Sequence, residues 1–341
     1  MRAAVYGAGA LGTVLGAWLT RAGTPVDLIS RSKDHVDALN RTGAVITGLV
    51  DWTVPVTALT PEEMQGAYDL IFLLTKQIDN AAEARRLQPH LAENGAVCVL
   101  QNGIPEPELA QLLGEDHVIG GVITWNAVRK GPGAAWIAPP ESSVTFGLGT
   151  LSGRQTPQLL QAKALLEQMG PVTVVENLPG LRWSKLLINA SLSCPATIMG
   201  GRCGDVTADP AWRRIALHIL RECVAAGRAA GVRFCAVQGH DYAAELAFST
   251  PEQEQALLAR MPELFALNAP AVPSMLPDLQ KGRPCEIDGL NGVVCRTGRQ
   301  YGVPTPFNDL AVEIVHEIAA GKATFSREHA ARFAPLFPAG T

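Results

Sequence analysis

No stretch of this 341-residue chain reaches the ~18 apolar residues that a membrane-spanning helix needs. Charge is sparse as well. Asp, Glu, Lys and Arg make up 18% of the residues, the net charge is -4, and Lys and Arg never form a run. A nucleic-acid binder would carry a basic stripe, so that class is excluded. The seven cysteines are odd in number, and no two of them have Cys-x-x-Cys spacing. Free buried thiols in a reducing compartment are the expectation, not a disulfide framework. No compact Cys/His cluster offers a metal site. His218, His240 and His316 are scattered and read as surface or capping residues. A nucleophile elbow, an internal repeat and a low-complexity segment are also missing. Gly7, Gly9, Gly12 and Gly16 interrupt the short apolar stretch at the start, and no small-residue cleavage site follows. A secretory signal is therefore not expected, and a cytoplasmic location is.

Hydrophobic residues make up 47% of the chain, enough for sizeable cores, and the length suits two domains. Residues 2–6 read as a buried strand, 11–22 as a helix closed by Gly23, and 25–30 as a second strand. The alternation continues with a helix at 34–42, two short strands around Gly48, a strongly apolar strand at 68–75, a helix at 80–91, and a strand at 96–101. A helix at 107–113 and a strand at 117–124 follow. Residues 131–148 read as an antiparallel extension of the same sheet, and a helix at 157–169 and a strand at 172–175 close the series. From Pro179-Gly180 onward the periodicity is helical, roughly over 181–199, 209–230, 238–248, 252–266, 286–301 and 306–320. The expected organisation is an α/β domain over 1–178 and an all-α domain over 179–341. The Pro-rich stretch from Asn268 to Pro277 reads as a functional loop.

Gly7-Ala8-Gly9-Ala10-Leu11-Gly12 fits Gly-x-Gly-x-x-Gly, follows a strand and opens a helix. That context makes the hexapeptide a dinucleotide signature of a Rossmann domain. The helix start would turn free N–H groups and the positive dipole end toward phosphates. The second strand ends at Ser30, Arg31, Ser32 and Lys33, where an NAD site would want a carboxylate for the ribose hydroxyls. Arg31 suits a 2′-phosphate and Ser30 can add a hydrogen bond, so NADP(H) is the expected cofactor. Thr75-Lys76 and Asn102-Gly103 follow two further strands, where ligands bind in such sheets. Thr75, Lys76 and Asn102 are therefore cofactor candidates, and Asn102 is a substrate candidate too.

In the helical part, Lys185, Asn189 and Ser193 stand at i, i+4 and i+8, which places them on one helical face. A Lys drawn partly out of water on such a face has a lowered pKa. Ser274-Met275 follows later, and Glu286 is expected to open a helix, where the dipole favours a carboxylate. Together the glycine hexapeptide, Thr75-Lys76, Asn102-Gly103, Lys185 with Asn189, Ser274-Met275, and Glu286-Ile287-Asp288 with Asn291-Gly292 resemble the ketopantoate reductase (2-dehydropantoate 2-reductase) family over nearly the whole chain. The resemblance implies a Rossmann domain plus a helical substrate domain compatible with homodimerisation, and an active site in the interdomain cleft. It also implies NADPH as hydride donor and a 2-keto acid as acceptor. By the same resemblance Lys185 matches the general acid, and Asn102, Asn189, Ser193 and Ser274 lie at substrate-contacting positions. Glu286 would contact the substrate, take part in catalysis and border the cofactor.

Three amide positions of the family pattern differ here: Ser193, Cys203 and Ala271 stand where the family commonly has Asn. A pocket with fewer amides pairs fewer substrate hydroxyls. The acceptor is therefore ketopantoate or a close analogue, with a more apolar ketone or an imine as the alternative. An NADPH-binding sensor on the same scaffold is the non-enzyme alternative.

Overall fold

The apolar segments of the first half are buried on both faces, as strands at the centre of a parallel sheet must be. In the computed structural model, which describes residues 1–337, the chain divides into two units, Met1–Leu178 and Pro179–Thr341. The last four residues, 338–341, included in the expected helical domain, lie outside the described residues.

The first unit runs β1 (Ala3–Tyr6), α1 (Ala10–Arg21), β2 (Asp27–Ile29), α2 (Lys33–Thr42), β3 (Ala44–Gly48), β4 (Trp52–Val54), β5 (Thr57–Leu59), β6 (Tyr68–Leu73), α3 (Asn80–Leu87), β7 (Leu91–Val99), α4 (Glu106–Leu113), β8 (Val118–Ile123), β9 (Ala127–Gly131), β10 (Ala134–Ile137), β11 (Phe146–Gly149), α5 (Pro157–Leu166) and β12 (Val172–Val174). Six parallel strands stand in the order β5-β2-β1-β6-β7-β8. The chain reverses direction across the sheet between β1 and β6, and such a switch point is where a doubly wound sheet binds its ligand. β11 adds antiparallel to β8, and β12 pairs parallel with β11.

Residues 131–148 do not simply extend this sheet. β9 and β10 leave it and join β3 and β4 in a separate sheet, ordered β4-β3-β10-β9. β10 buries alternate residues, Ala135 and Ile137, and that single apolar face packs on α1. This explains why α1, with the sequence Ala-Leu-Gly-Thr-Val-Leu-Gly-Ala-Trp-Leu-Thr-Arg, has almost no polar face. Thr13 through Ala17 are all buried, because sheets cover the helix on two sides. The expected strand pair at 44–58 is three strands, split between the two sheets. The helix expected to reach 91 stops at Leu87, where Gln88-Pro89-His90 forms a 3-10 turn and Leu91 starts β7.

The second unit is helical: α6 (Leu178–Ile188), α7 (Cys194–Met199), α8 (Cys203–Ala208), α9 (Pro210–Ala229), α10 (Tyr242–Glu245), α11 (Pro251–Leu264), α12 (Leu276–Gln280), α13 (Asn291–Tyr301), α14 (Pro306–Ala319) and α15 (Ala330–Phe333). α9 is central and packs against α8, α13 and α14. Its start is fixed by Asp209, whose carboxylate accepts from the Ala211 and Trp212 N–H groups, with Pro210 in the first helical position. Several expectations are corrected here. The helix expected over 181–199 is broken by a π-turn at Asn189–Ser193. The one expected over 238–248 shrinks to four residues, because Gly239 and Asp241 favour a turn and a cap. Glu286 does not open an α-helix. It precedes a 3-10 turn, Ile287–Gly289, and α13 begins only at Asn291. His218 is not a surface residue: it is buried, stacked on Phe307 with ring centroids 4.7 Å apart, and its Nε2 lies 3.1 Å from Glu254.

Candidate functional site

The glycine loop of the first unit is shaped by contacts that only glycine permits. Gly7 has a φ of +99°, and a Cβ there would meet the Thr75 backbone nitrogen at 2.5 Å. A Cβ on Gly12 would run into the Gly7 carbonyl. Gly9 differs, because a Cβ there would meet nothing closer than the Gly7 oxygen at 4.0 Å. The space in front of Gly9 is open, as a backbone that receives a pyrophosphate must be. Gly9 caps α1 without a side chain, and the first intrahelical bond runs from the Thr13 N–H to the Gly9 carbonyl. The N–H groups of Ala10, Leu11 and Gly12 have no acceptor within the helix, which makes this end an anion cradle. The residues present thus fit a dinucleotide.

A second feature secures that cradle. His35 on α2 is fully buried, and its Nδ1 accepts from the Gly133 N–H at 2.8 Å. Its Nε2 therefore carries the hydrogen and donates to the Thr13 hydroxyl at 3.0 Å, which in turn donates to the Gly9 carbonyl at 2.5 Å. Burial, and then the nearby Arg129 guanidinium, push the His35 pKa down to about 4, so the ring is neutral at physiological pH. Sequence reasoning missed this residue. The available signal was a histidine sharing the buried face of α2 with Leu39 at i+4.

Beyond β2 lie Ser30, Arg31 and Ser32. The Ser32 hydroxyl does not cap α2; Arg129 of β9 donates to it at 3.4 Å. Ser30 Oγ accepts from the Ser32 N–H at 3.3 Å. Arg31, Lys33 and Arg129 are exposed. Arg129 was invisible to sequence reading, because only the second sheet carries it across 97 residues to Ser32. On the other side of the switch point, Gln101 donates to both the Thr75 hydroxyl (3.1 Å) and Asn80 Oδ1 (3.0 Å). This clamp fixes the loop bearing Thr75 and Lys76 to the one bearing Asn102. Lys76 is exposed and Asn102 half-buried.

In the second unit, between Arg182 and Met199, only Lys185, Asn189 and Ser193 are half-exposed; every other residue is buried. They share one stripe, but not by α-helical spacing alone. A step of four residues in an α-helix overshoots a full turn by about 40°. The wider π-turn over Asn189–Ser193 undershoots and cancels that drift. Burial lowers the Lys185 pKa, and electrostatic interaction with Cys203 opposes the shift. Burial raises the Cys203 thiol to about 11, with the Ser193 side chain and then Lys185 opposing the shift. The Cys203 N–H donates to the Ala271 carbonyl at 3.0 Å. Ser193, Cys203 and Ala271 are therefore one contiguous patch beside Lys185. Ser274 is exposed in the turn before Met275, and Glu286 is buried.

Two family models match the chain: "Ketopantoate reductase PanE/ApbA" over residues 3–150, and its C-terminal counterpart over residues 177–319. A 2-dehydropantoate 2-reductase of Streptococcus pyogenes is 27% identical over 325 residues, covering 92% of this chain and 96% of its own length. One from Pyrococcus horikoshii is 27% identical over 318 residues, with the same coverage of both chains. The crystal structure of a PanE/ApbA family ketopantoate reductase from Ralstonia eutropha superimposes with a TM-score of 0.78 at 27% identity, covering 94% of this chain and 99% of that one. Among the described residues no helix is long and apolar enough to cross a membrane.

Proposed function

We propose, on the premise that this chain belongs to the ketopantoate reductase family and is an oxidoreductase using a nicotinamide cofactor, that it reduces a 2-keto acid to the 2-hydroxy acid with NADPH. The first candidate reaction is 2-dehydropantoate to pantoate, with Lys185 as general acid. The observation that carries this reading is Lys185 itself, an ammonium drawn out of water on the half-exposed stripe of the otherwise buried segment 182–199. The cofactor, when bound, supplies the hydride. As the hydride adds to the keto carbon, the C=O π electrons move onto oxygen, and Lys185 Nζ passes its proton to that oxygen. The neutral amine is then reprotonated from solvent. Asn189, Ser193 and Ser274 are assigned to holding the substrate, Asn102 to substrate and cofactor, and Glu286 to a substrate hydroxyl.

The first unit is assigned the cofactor. Gly7 through Gly12 receive the pyrophosphate, and Thr75, Lys76 and Asn102 line the approach to it. Ser30, Arg31 and Ser32 take the 2′-phosphate, joined by Arg129. Lys185→Ala is expected to lower kcat by ~10²-fold or more, in the range of a lost general acid. Near-normal turnover would remove Lys185 from the mechanism.

A second reading concerns only the acceptor. The Ser193, Cys203 and Ala271 positions offer one hydroxyl and one thiol in place of three amides. That favours a 2-keto acid whose side chain lacks the hydroxyl of ketopantoate. Comparing kcat/KM for ketopantoate with that for 3,3-dimethyl-2-oxobutanoate, which lacks only the hydroxyl, separates the two readings.

A further inference from the structure

The π-turn that aligns Lys185, Asn189 and Ser193 leaves a carbonyl without its normal donor. In an unbroken α-helix Ala190 O would accept from the Cys194 N–H. That N–H goes to Asn189 O instead. The next residue, Pro195, has no N–H to give, and a proline ring inside a helix also crowds the carbonyl four residues earlier. Ala190 is fully buried, so water does not serve it. Its carbonyl is taken by a side chain 101 residues away: Asn291 Nδ2, at 3.2 Å.

Asn291 is held in that orientation. It is fully buried at the start of α13, and its second amide hydrogen goes to Asn308 Oδ1 at 3.0 Å. Asn308 is fixed in turn, since its own amide group donates to Ile219 O (3.2 Å), a carbonyl that can only accept, and to Glu222 Oε2 (2.8 Å). The Glu222 carboxylate also accepts the Phe307 and Asn308 backbone N–H groups, at 2.9 Å each. Every amide orientation in the series follows from its neighbours. The series runs from α9 through the first turn of α14 and the first residue of α13 to the π-turn.

We infer that Asn291 is a positioning residue: by holding Ala190 O it keeps the helix in its π register, and so keeps Lys185, Asn189 and Ser193 on one face. Asn291 acts through the backbone of the helix that bears Lys185. The inference rests on the reading of Lys185 as the acid, but its first test does not.

That test is competitive acylation of Lys185 in the full chain, quantified by mass spectrometry against pH, for the wild type and Asn291→Leu. The leucine keeps the volume, removes both donors and adds no charge. Loss of the π register should hydrate Lys185 and move its pKa up toward the ordinary lysine value; an unchanged pKa overturns the inference. With a reducible 2-keto acid, kcat should fall ~10-fold or more, as expected for a displaced catalytic group, while NADPH affinity stays put. Pro195→Ala returns an N–H within reach of Ala190 O, so Asn291→Leu should cost less in that background. Strict additivity would contradict the inference. Should Asn291→Leu fail to fold, Asn291→Ser, with room for a bridging water, should show the same changes at smaller size, and a wild-type Lys185 pKa in that variant overturns the proposal. Absence of keto-acid turnover in the wild type would defeat the functional reading and leave the acylation result to decide this one.

Discussion

At the residue scale, the proposed cofactor grip turns on two arginines that the sequence separates widely. Arg31 follows β2 directly, whereas Arg129 arrives through the second sheet and meets Ser32 at 3.4 Å. A hydrogen bond to a charged group contributes about 2 kcal/mol, so removing either guanidinium should weaken NADPH binding on the order of tenfold or more. NADH binding should barely change in Arg31→Ala or Arg129→Ala. Equal losses for both cofactors in titrations would remove these residues from the 2′-phosphate site. Gly9 gives a sharper contrast. Alanine there has room within the protein, yet its Cβ enters the space assigned to the pyrophosphate. Gly9→Ala should melt close to wild type while losing most of its NADPH affinity. Gly12→Ala should lose stability itself, because its Cβ meets the Gly7 carbonyl. Similar melting temperatures for the two variants would contradict this division of roles.

At the scale of elements, legibility followed the range of the signal. The glycine turn and the strands and helices flanking it are local, and Ala3–Tyr6 and Ala10–Arg21 lie within a residue of where periodicity puts them. The second sheet was not legible, because β10 pairs with β3, some ninety residues earlier, and short strands with one apolar face do not announce which sheet they join. The absence of a polar face on α1 was the available clue that something covers it twice. The π-turn was also missed, although Pro195 inside an apolar helical run is the kind of residue that breaks a register. The start of α13 was misplaced at Glu286 because Glu-Ile-Asp reads like a first helical turn; Gly289 instead ends a 3-10 turn before Asn291.

At the scale of the whole molecule, the buried Glu222 links the stability of the helical unit to pH. Burial raises its carboxyl to about 7, even though the Phe307 N–H and the Asn308 side chain and N–H all favour the ionised form. The folded state therefore holds a proton that the unfolded chain releases at an ordinary carboxylate pKa. This group's contribution to stability falls as pH rises from roughly 4.5 to 7. In Glu222→Gln that part of the slope should vanish, leaving a flatter melting temperature across the window. A slope identical to wild type would show that Glu222 ionises normally in the fold.

The central claim is that this oxidoreductase joins NADPH oxidation to reduction of a 2-keto acid through Lys185. Its most direct test is the initial rate of NADPH consumption by wild type and Lys185→Ala, with ketopantoate and with apolar 2-keto acids. Turnover of at least one of these acids by wild type, with kcat lower by ~10²-fold or more in the variant, is the expected result. Failure of every 2-keto acid, or a variant as fast as wild type, would contradict it.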